Sequence, residues 1–474
     1  MYKKKMHIHF IGIGGIGMSG IAEILKLKGY TVSGCDETKN SKTIDRLKKI
    51  GCEIYHKHNK THIKNADVLV YSSAVNKKNE EVCSAIQKGI PVIPRAIMLA
   101  ELMRTKYGVA ISGTHGKTTT TSMISHIFIE SKMDPTVIIG GILKNISANA
   151  KLGNGKMLIA EVDESDKSLL YLNPTMAIVT NIEAEHLDTY KNLSDIQKTF
   201  KDFLARLPFY GKAFLCIDDP NIKSILPLPH INTIKYGFDE SADIIGKILT
   251  MEKTGSTFEI FKKNKFINNT IKYEKIKLGT IKLNMPGEHN ILNALAAIAL
   301  SLEFEISFNK IQKALKNFKG VERRFEFKGM FNGAEIFDDY GHHPTEIKNT
   351  LKVAQKRKQN KLHVIFQPHR FTRTQKLWDD FVNIFADSNN NYKIDSLYLA
   401  DIYPASENPI DGITSQNLTL AIQKKNPNIK IFYAPTYNQI QKEVEKHLNT
   451  GDLLLTVGAG KANIIGENLV KKST

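Results

Sequence analysis

Short apolar runs alternate along this chain with stretches of helical period, and the alternation recurs in three long blocks. In the first, His7–Ile11 reads as a strand, Gly12–Gly17 as a glycine loop, Met18–Lys28 as a helix and Tyr30–Cys35 as a second strand. Apolar runs at Val68–Tyr71 and Pro91–Ile93 carry the pattern to about residue 105. The second block opens with a strand at Tyr107–Ile111 and a helix at Thr119–Ser131. Strands at Thr136–Ile139, Met157–Val162, Met176–Thr180 and Ala213–Ile217 follow. From Ala242 to Leu283 polar and apolar residues alternate singly, as in Ser256–Phe261, which predicts an antiparallel ribbon inserted in or attached to the second domain. Asn290–Leu302 returns to a helix. Glu335–Phe337, Leu362–Phe366, Ser396–Leu399, Ile429–Phe432 and Asp452–Val457 then read as strands separated by helical patterns. The economical reading is α/β, with three tandem domains bounded 1–106, 107–320 and 321–474.

Composition narrows the class. A hydrophobic content of 42% fits a globular protein, and no apolar run is long enough to span a bilayer, so no membrane insertion is expected. The lysines near the start mimic a secretory signal, but His7, His9 and the glycines interrupt the apolar stretch. The net charge of +18 invites a nucleic-acid partner. Only nine of the 66 basic residues are arginines, however, and the lysines are spread everywhere, so none is expected. The cysteines at 35, 52, 83 and 216 form no Cys-x-x-Cys pair. That argues against a disulfide framework or structural zinc site and for a cytoplasmic location.

Chemistry concentrates at Ile111–Thr120, the segment ISGTHGKTTT. Gly113 and Gly116 let successive N–H groups of Thr114, His115 and their neighbours face one anionic point. Lys117 adds a cation for the outer phosphates, Thr118 offers a hydroxyl to magnesium, and Thr119 continues into the helix. With its flanking strand and helix this is a shortened phosphate loop, which predicts an ATP site. The acidic run Glu161–Asp166 and the segment Asn181–Asp188 each follow a strand. Glu161 and His186 join Thr118 as candidate magnesium ligands.

The first glycine loop reads G-x-G-x-x-G through Gly12, Gly14, Gly15 and Gly17, with Asp36 ending the next strand. Spacing alone fits a dinucleotide such as NAD, and equally another diphosphate nucleotide such as a UDP-sugar. A triphosphate loop in the same chain has no obvious use in hydride transfer, which weighs against an oxidoreductase. Ser72, Ser73 and Arg95 follow strands in the same block and are candidates to complete this anion site.

Taken together, these motifs resemble the Mur ligases of peptidoglycan synthesis. The resemblance runs through Gly12–Gly20, Gly113–Thr118, Glu161–Asp166, Gly287–Asn290, Arg323–Phe325, Asp338–Pro344 and Gln367–Thr374, in one order and over nearly the whole chain. It implies a Rossmann-like UDP-sugar-binding domain, a P-loop ATPase-like central domain carrying the β ribbon, and a Rossmann-like third domain that closes over both. The implied activity is ATP-dependent ligation of L-alanine to the lactyl carboxylate of UDP-N-acetylmuramate through an acyl phosphate. A preformed peptide is the alternative acceptor amine. The resemblance assigns the first glycine loop to the UDP-sugar and supports Thr118, Glu161 and His186 as the magnesium shell. It places His289, Asn290, Arg324 and Asp339 about the nucleotide, and Tyr340, His342, Arg370 and Arg373 at the amino-acid end. Within that set His342 is the candidate base, while Arg370 and Arg373 are suited to clamp a carboxylate or phosphate. Some relatives brace a second magnesium with a carbamylated lysine; Lys198 lacks the surrounding motif for that role. Oligomeric state, monomer or dimer, is left open.

Overall fold

The computed structural model describes residues 6–38, 41–72, 75–76, 78–186, 189–268, 270–386, 392–405 and 407–473. It is a mixed α/β fold built on three sheets. The first has five parallel strands in the order Glu53–His56, Thr31–Asp36, His7–Ile11, Val68–Tyr71 and Val92–Pro94. Helix Ile16–Leu27 buries Ile21, Ile24 and Leu25, and each such side chain contributes about 1.5–3 kcal/mol of transfer free energy.

The second sheet has ten strands. Its parallel centre places Tyr107–Ser112 between Met176–Val179 and Met157–Glu161, so that the phosphate loop leaves from the middle of the sheet. The alternating region forms three strands, Ile244–Met251, Ser256–Asn268 and Thr270–Leu283, which extend one edge of this sheet. The third sheet runs Glu326–Phe331, Ala334–Asp339, Leu453–Val457, Leu362–Phe366, Ser396–Leu399 and Ile431–Tyr433. All its pairings are parallel except the first.

The chain divides into two compact units. One comprises Met1–Leu249, Thr257–Asn284 and Asn290–Lys319, and holds the first two sheets. The other comprises Thr250–Ser256, Met285–His289 and Gly320–Thr474, and holds the third. Within the first unit, Asn149 Nδ2 donates to the carbonyl of Ile16 at 2.7 Å and to Ser19 Oγ at 3.1 Å. Gly20 passes so close to strand Ala148–Lys151 that a Cβ there would stand 3.2 Å from the Cβ of Ala150.

Four strands escaped the hydrophobic pattern: Glu53–His56, Ala148–Lys151, Asn232–Gly237 and Glu326–Phe331. They are short, and most expose one face or carry few buried side chains, so none presents an apolar run. Both glycine-loop helices begin two residues before the expected start, at Ile16 and Lys117, because the loop amides are themselves the first helical turn.

Candidate active site

Gly113 (φ +132°) and Gly116 (φ +81°) hold left-handed backbone that only glycine adopts without strain. The loop between them is fixed from the neighbouring strand's end. Thr114 N–H donates to the Asn181 carbonyl at 3.1 Å and His115 N–H to Asn181 Oδ1 at 2.7 Å. Thr180 Oγ1 and Asn181 Nδ2 both donate to the His115 carbonyl, at 2.6 and 3.0 Å. Helix Lys117–Glu130 has no side-chain cap, so its first amides and dipole are turned to the loop's mouth.

Lys117 Nζ is held by the carbonyls of Gly113 and Thr114 at 2.6 and 3.0 Å and by the Glu164 carboxylate at 2.9 Å. Burial pushes its pKa down, but Glu164, Asp163 and Glu161 outweigh burial and keep it above the usual lysine range. Asp163 lies below its ordinary value, since Lys117, the Ser165 N–H and Arg95 overcome its burial. Glu164 is pushed up to about 8 by burial, against the pull of Lys117. Thr118 Oγ1 donates to Glu161 Oε1 at 2.9 Å, and Gly140 N–H donates to Glu161 Oε2 at 2.7 Å. Glu164, Glu185 and His186 bring one donor atom each within 4.8 Å of one another. Two donor groups therefore flank Lys117, one on Glu161 and Thr118 and one on Glu164, Glu185 and His186. His115 Nε2 lies 3.4 Å from Glu183 Oε2. Lys198 is exposed on helix Leu193–Leu204.

The first glycine loop uses different partners. Gly12 and Ile13 donate their N–H groups to the Cys35 carbonyl at 2.9 and 3.1 Å, and Gly14 N–H donates to Asp36 Oδ2 at 2.8 Å. A Cβ on Gly14 would stand 2.7 Å from that oxygen, and one on Gly17 would stand 2.7 Å from Arg95 Nη1. Ser72 Oγ faces Gly12, 3.7 Å from where its Cβ would be. Gly15 precedes helix Ile16–Leu27, again without a side-chain cap. Ser73 lies outside the described residues.

The second unit gathers its polar groups where Ala334–Asp339 and Leu362–Phe366 end. Asp339 accepts from the N–H groups of Phe325 and Gly341, both at 2.7 Å, and burial raises its pKa to about 6. Arg323 donates to Asp338 Oδ2 at 2.9 Å and to the Gly458 carbonyl at 2.6 Å, and its guanidinium lies 4.9 Å from the centre of the Tyr340 ring. Arg324 lies 3.6 Å from Glu346. His342 Nδ1 sits 3.1 Å from the Tyr340 carbonyl, the geometry of a ring N–H donating there and leaving the acceptor lone pair on Nε2. Its ring centre is 5.9 Å from that of His369. Burial, with His342 and Arg373 nearby, lowers His369 to about 3, so it is neutral. Arg373 Nη1 meets His369 Nδ1 at 3.5 Å. Arg370, at φ +71°, points its guanidinium toward Glu407 at 3.8 Å. A cavity of about 190 Å³ is lined by Met251, Pro286, Gly287, His289, Lys352 and Lys356. Burial and then Arg324 lower His289 to about 4.

Residues 7–107 match the Mur ligase family catalytic domain, residues 111–301 the Mur ligase middle domain, and residues 323–460 the Mur ligase glutamate ligase domain. A UDP-N-acetylmuramate–L-alanine ligase from Geotalea daltonii is 48% identical over 100% of this chain and 99% of its own length. The chain belongs to the Mur ligase family. Another relative of this Mur ligase, a UDP-N-acetylmuramate–L-alanine ligase from Desulfatibacillum aliphaticivorans, is 45% identical over 99% of each chain. Among solved structures, the UDP-N-acetylmuramate–alanine ligase of Thermotoga maritima superposes with a TM-score of 0.79. It is 26% identical and covers 99% of both chains. A murein peptide ligase from Psychrobacter arcticus, at a TM-score of 0.69 and 24% identity over 98% of both chains, shares the fold.

The Mur ligase fold gathers most of the residues singled out by sequence. Gly12, Gly14, Gly17, Asp36, Ser72 and Arg95 surround one loop, and Gly113–Thr118 with Glu161 surround the other. His186 joins Glu164 and Glu185. Thr119 is buried behind the phosphate loop, and Asn290 is buried in the first turn of helix Glu288–Glu303. Sequence reasoning missed Glu164, Asn181 and Asn293 as partners of the phosphate loop. Glu164 and Asn181 stood inside segments already noted. Asn293, whose Oδ1 would stand 2.4 Å from a Cβ on Gly116, carried no local signal. In the second unit Arg323, Glu346 and His369 were likewise missed as partners.

Proposed function

We propose that this Mur ligase joins L-alanine to the lactyl carboxylate of UDP-N-acetylmuramate, consuming ATP and releasing ADP and phosphate. The observation that carries the reading is the buried Lys117 cradle, with its uncapped helix and flanking acids, in a chain 48% identical over its whole length to a ligase of that name. A carboxylate is a poor electrophile, so ATP first converts it to an acyl phosphate. That transfer asks for positioning and charge neutralisation, which Lys117 and the amides of Gly113–Thr118 supply. The amine of L-alanine then attacks the acyl carbon, and phosphate leaves from the tetrahedral intermediate.

Magnesium fits the donor set: the Glu161 carboxylate and Thr118 hydroxyl are oxygen donors 2.9 Å apart, and Glu164, Glu185 and His186 form a second group beside Lys117. Bound there, the ion neutralises charge on the transferring phosphoryl group. The UDP-sugar belongs to the first loop, with its diphosphate on the amides of Gly12–Gly17, Arg95 on an anionic oxygen and Ser72 at the rim. Asp36, which accepts from Gly14, shapes that cradle. His289, whose low pKa keeps it neutral, and Asn290 belong near the adenine. His342, whose Nδ1 faces the Tyr340 carbonyl, is the base that takes a proton from the alanine ammonium, and Arg370 and Arg373 hold a carboxylate or phosphate. The proposed domain limits are 1–106, 107–320 and 321–474.

The test is ADP release with magnesium and ATP while UDP-N-acetylmuramate and L-alanine are omitted in turn. Release that needs both supports the reading. Release restored by a tripeptide instead of alanine gives the peptide-adding reaction, and release needing neither removes the ligase.

A further inference from the structure

The first sheet buries a second constellation that the ligase chemistry does not use. His9, Cys35 and Glu81 are each fully buried, and their donor atoms lie within 4.8 Å of one another. Cys35 Sγ is 3.0 Å from Glu81 Oε2, and His9 Nε2 is 3.4 Å from the same oxygen. His58 Nδ1 stands 3.1 Å from Cys35 Sγ and 3.8 Å from Glu81 Oε2. We propose that His9, Cys35, His58 and Glu81 bind a zinc ion.

Zn–N distances of about 2.0–2.1 Å and a Zn–S distance of about 2.3 Å set neighbouring tetrahedral donors roughly 3.3–3.6 Å apart. The separations from Glu81 and Cys35 straddle that range, and His58, which stands outside the group closed within 4.8 Å, swings inward from the partly exposed rim to complete the tetrahedron. The donors come from strand His7–Ile11, strand Thr31–Asp36, the segment before residue 59 and helix Glu80–Gln87. No Cys-x-x-Cys spacing announces them for that reason.

Two further observations point to a ligand. Among the described residues the fully buried His9 Nε2 meets hydrogen-bond geometry with none and faces the Glu81 carboxylate at 3.4 Å, so this nitrogen is turned into the cluster. The outer groups are also arranged as a metal site requires. Ser33 Oγ lies 2.8 Å from His9 Nδ1, which aims Nε2 inward. Glu81 Oε1 is held by the Asn59 N–H at 2.9 Å and by His62 Nδ1 at 2.7 Å, leaving Oε2 for the centre. A thiolate and a carboxylate with two neutral imidazoles balance the charge of Zn²⁺, so the filled site buries no net charge. On binding, the thiol proton now donated to Glu81 leaves to solvent, and affinity falls as the pH falls. The half-exposed His58 marks the route of entry. The Cys35 carbonyl accepts the N–H groups of Gly12 and Ile13, so the ion braces the strand end beneath the first glycine loop.

The test uses the full, tag-free chain, stripped with a chelator and then titrated with zinc or cobalt(II) in excess magnesium, which occupies oxygen-rich sites. Zinc is expected to bind at one equivalent, to raise the melting temperature, and to release one proton. Cobalt is expected to give a thiolate charge-transfer band. Cys35→Ser should lose the band and weaken zinc at least 100-fold. His58→Gln, at the partly exposed rim where folding is not at risk, should weaken zinc at least tenfold and keep the band. Cys83→Ser should change neither. Absence of stoichiometric zinc uptake by the unaltered chain, or a band that survives Cys35→Ser, overturns the proposal.

Discussion

The two glycine loops begin from the same device and end in different chemistry. Each follows a parallel strand, turns on glycine and feeds a helix with no side-chain cap. Helices starting at Lys42, Glu80, Leu193, Ser415 and Tyr437 are instead closed by Ser41, Asn79, Asn192, Thr414 and Thr436. An uncapped first turn leaves N–H groups for an anion. What differs is the next layer. Behind Gly12–Gly17 stand one acid accepting a backbone N–H and one arginine at the loop's face. Around Gly113–Thr118 stand a buried lysine, a hydroxyl and several carboxylates. The backbone selects a phosphate ligand, and the side chains decide whether it is held or transferred.

The largest effect should come from Lys117→Ala. Losing the cation held inside the phosphate cradle should lower turnover by about 10³-fold or more, read as ADP release. Calorimetric affinity for the UDP-sugar should stay within about twofold. Loss of both would dissolve the distinction between the loops. Gly14→Ala is the reciprocal break. Its Cβ would meet Asp36 Oδ2 at 2.7 Å and Ile44 Cδ1 at 3.0 Å, so KM for the UDP-sugar should rise about 10- to 100-fold, the equivalent of roughly 1–3 kcal/mol. ATP affinity should not follow it.

A third change asks whether the second unit has its own electrostatics. Asp339 titrates near 6, above its ordinary value, so the folded state holds that proton more tightly than the unfolded chain. The contribution of this one group is therefore fullest below about pH 4 and falls by about 3 kcal/mol as pH rises through 6. Asp339→Asn should flatten that slope in denaturant unfolding. It should also cost about 1–3 kcal/mol throughout, because an amide oxygen and nitrogen cannot both accept the Phe325 and Gly341 N–H groups. Parallel slopes would contradict the assignment. The smallest effect is Ser72→Ala, a rim hydroxyl whose loss should raise KM for the UDP-sugar about two- to fivefold and leave the ATP response unchanged.

Local pattern made the loops legible, because a strand, glycines at fixed offsets and a helix are contiguous in sequence. It made the ends of Tyr107–Ser112 and Leu362–Phe366 legible for the same reason. It did not reveal Glu53–His56 or Ala148–Lys151, where half-exposed edge positions erase the apolar run. Nor did it reveal what reaches a loop from afar. Asn293 touches Gly116 across 177 positions of chain only because helix Glu288–Glu303 packs there. The scattered cysteines argued against zinc, yet Cys35 meets His9, His58 and Glu81 only after the first sheet assembles. Contacts of that kind are set by topology, not by spacing.

The most direct test of the account follows oxygen. UDP-N-acetylmuramate labelled with ¹⁸O in its lactyl carboxylate should pass one labelled oxygen to the phosphate released during ligation of L-alanine, because the carboxylate oxygen becomes the bridge of the acyl phosphate. Labelled phosphate in step with product is the predicted result. Product formed with unlabelled phosphate would mean that the carboxylate is never phosphorylated, and the role given to the Lys117 cradle would be wrong.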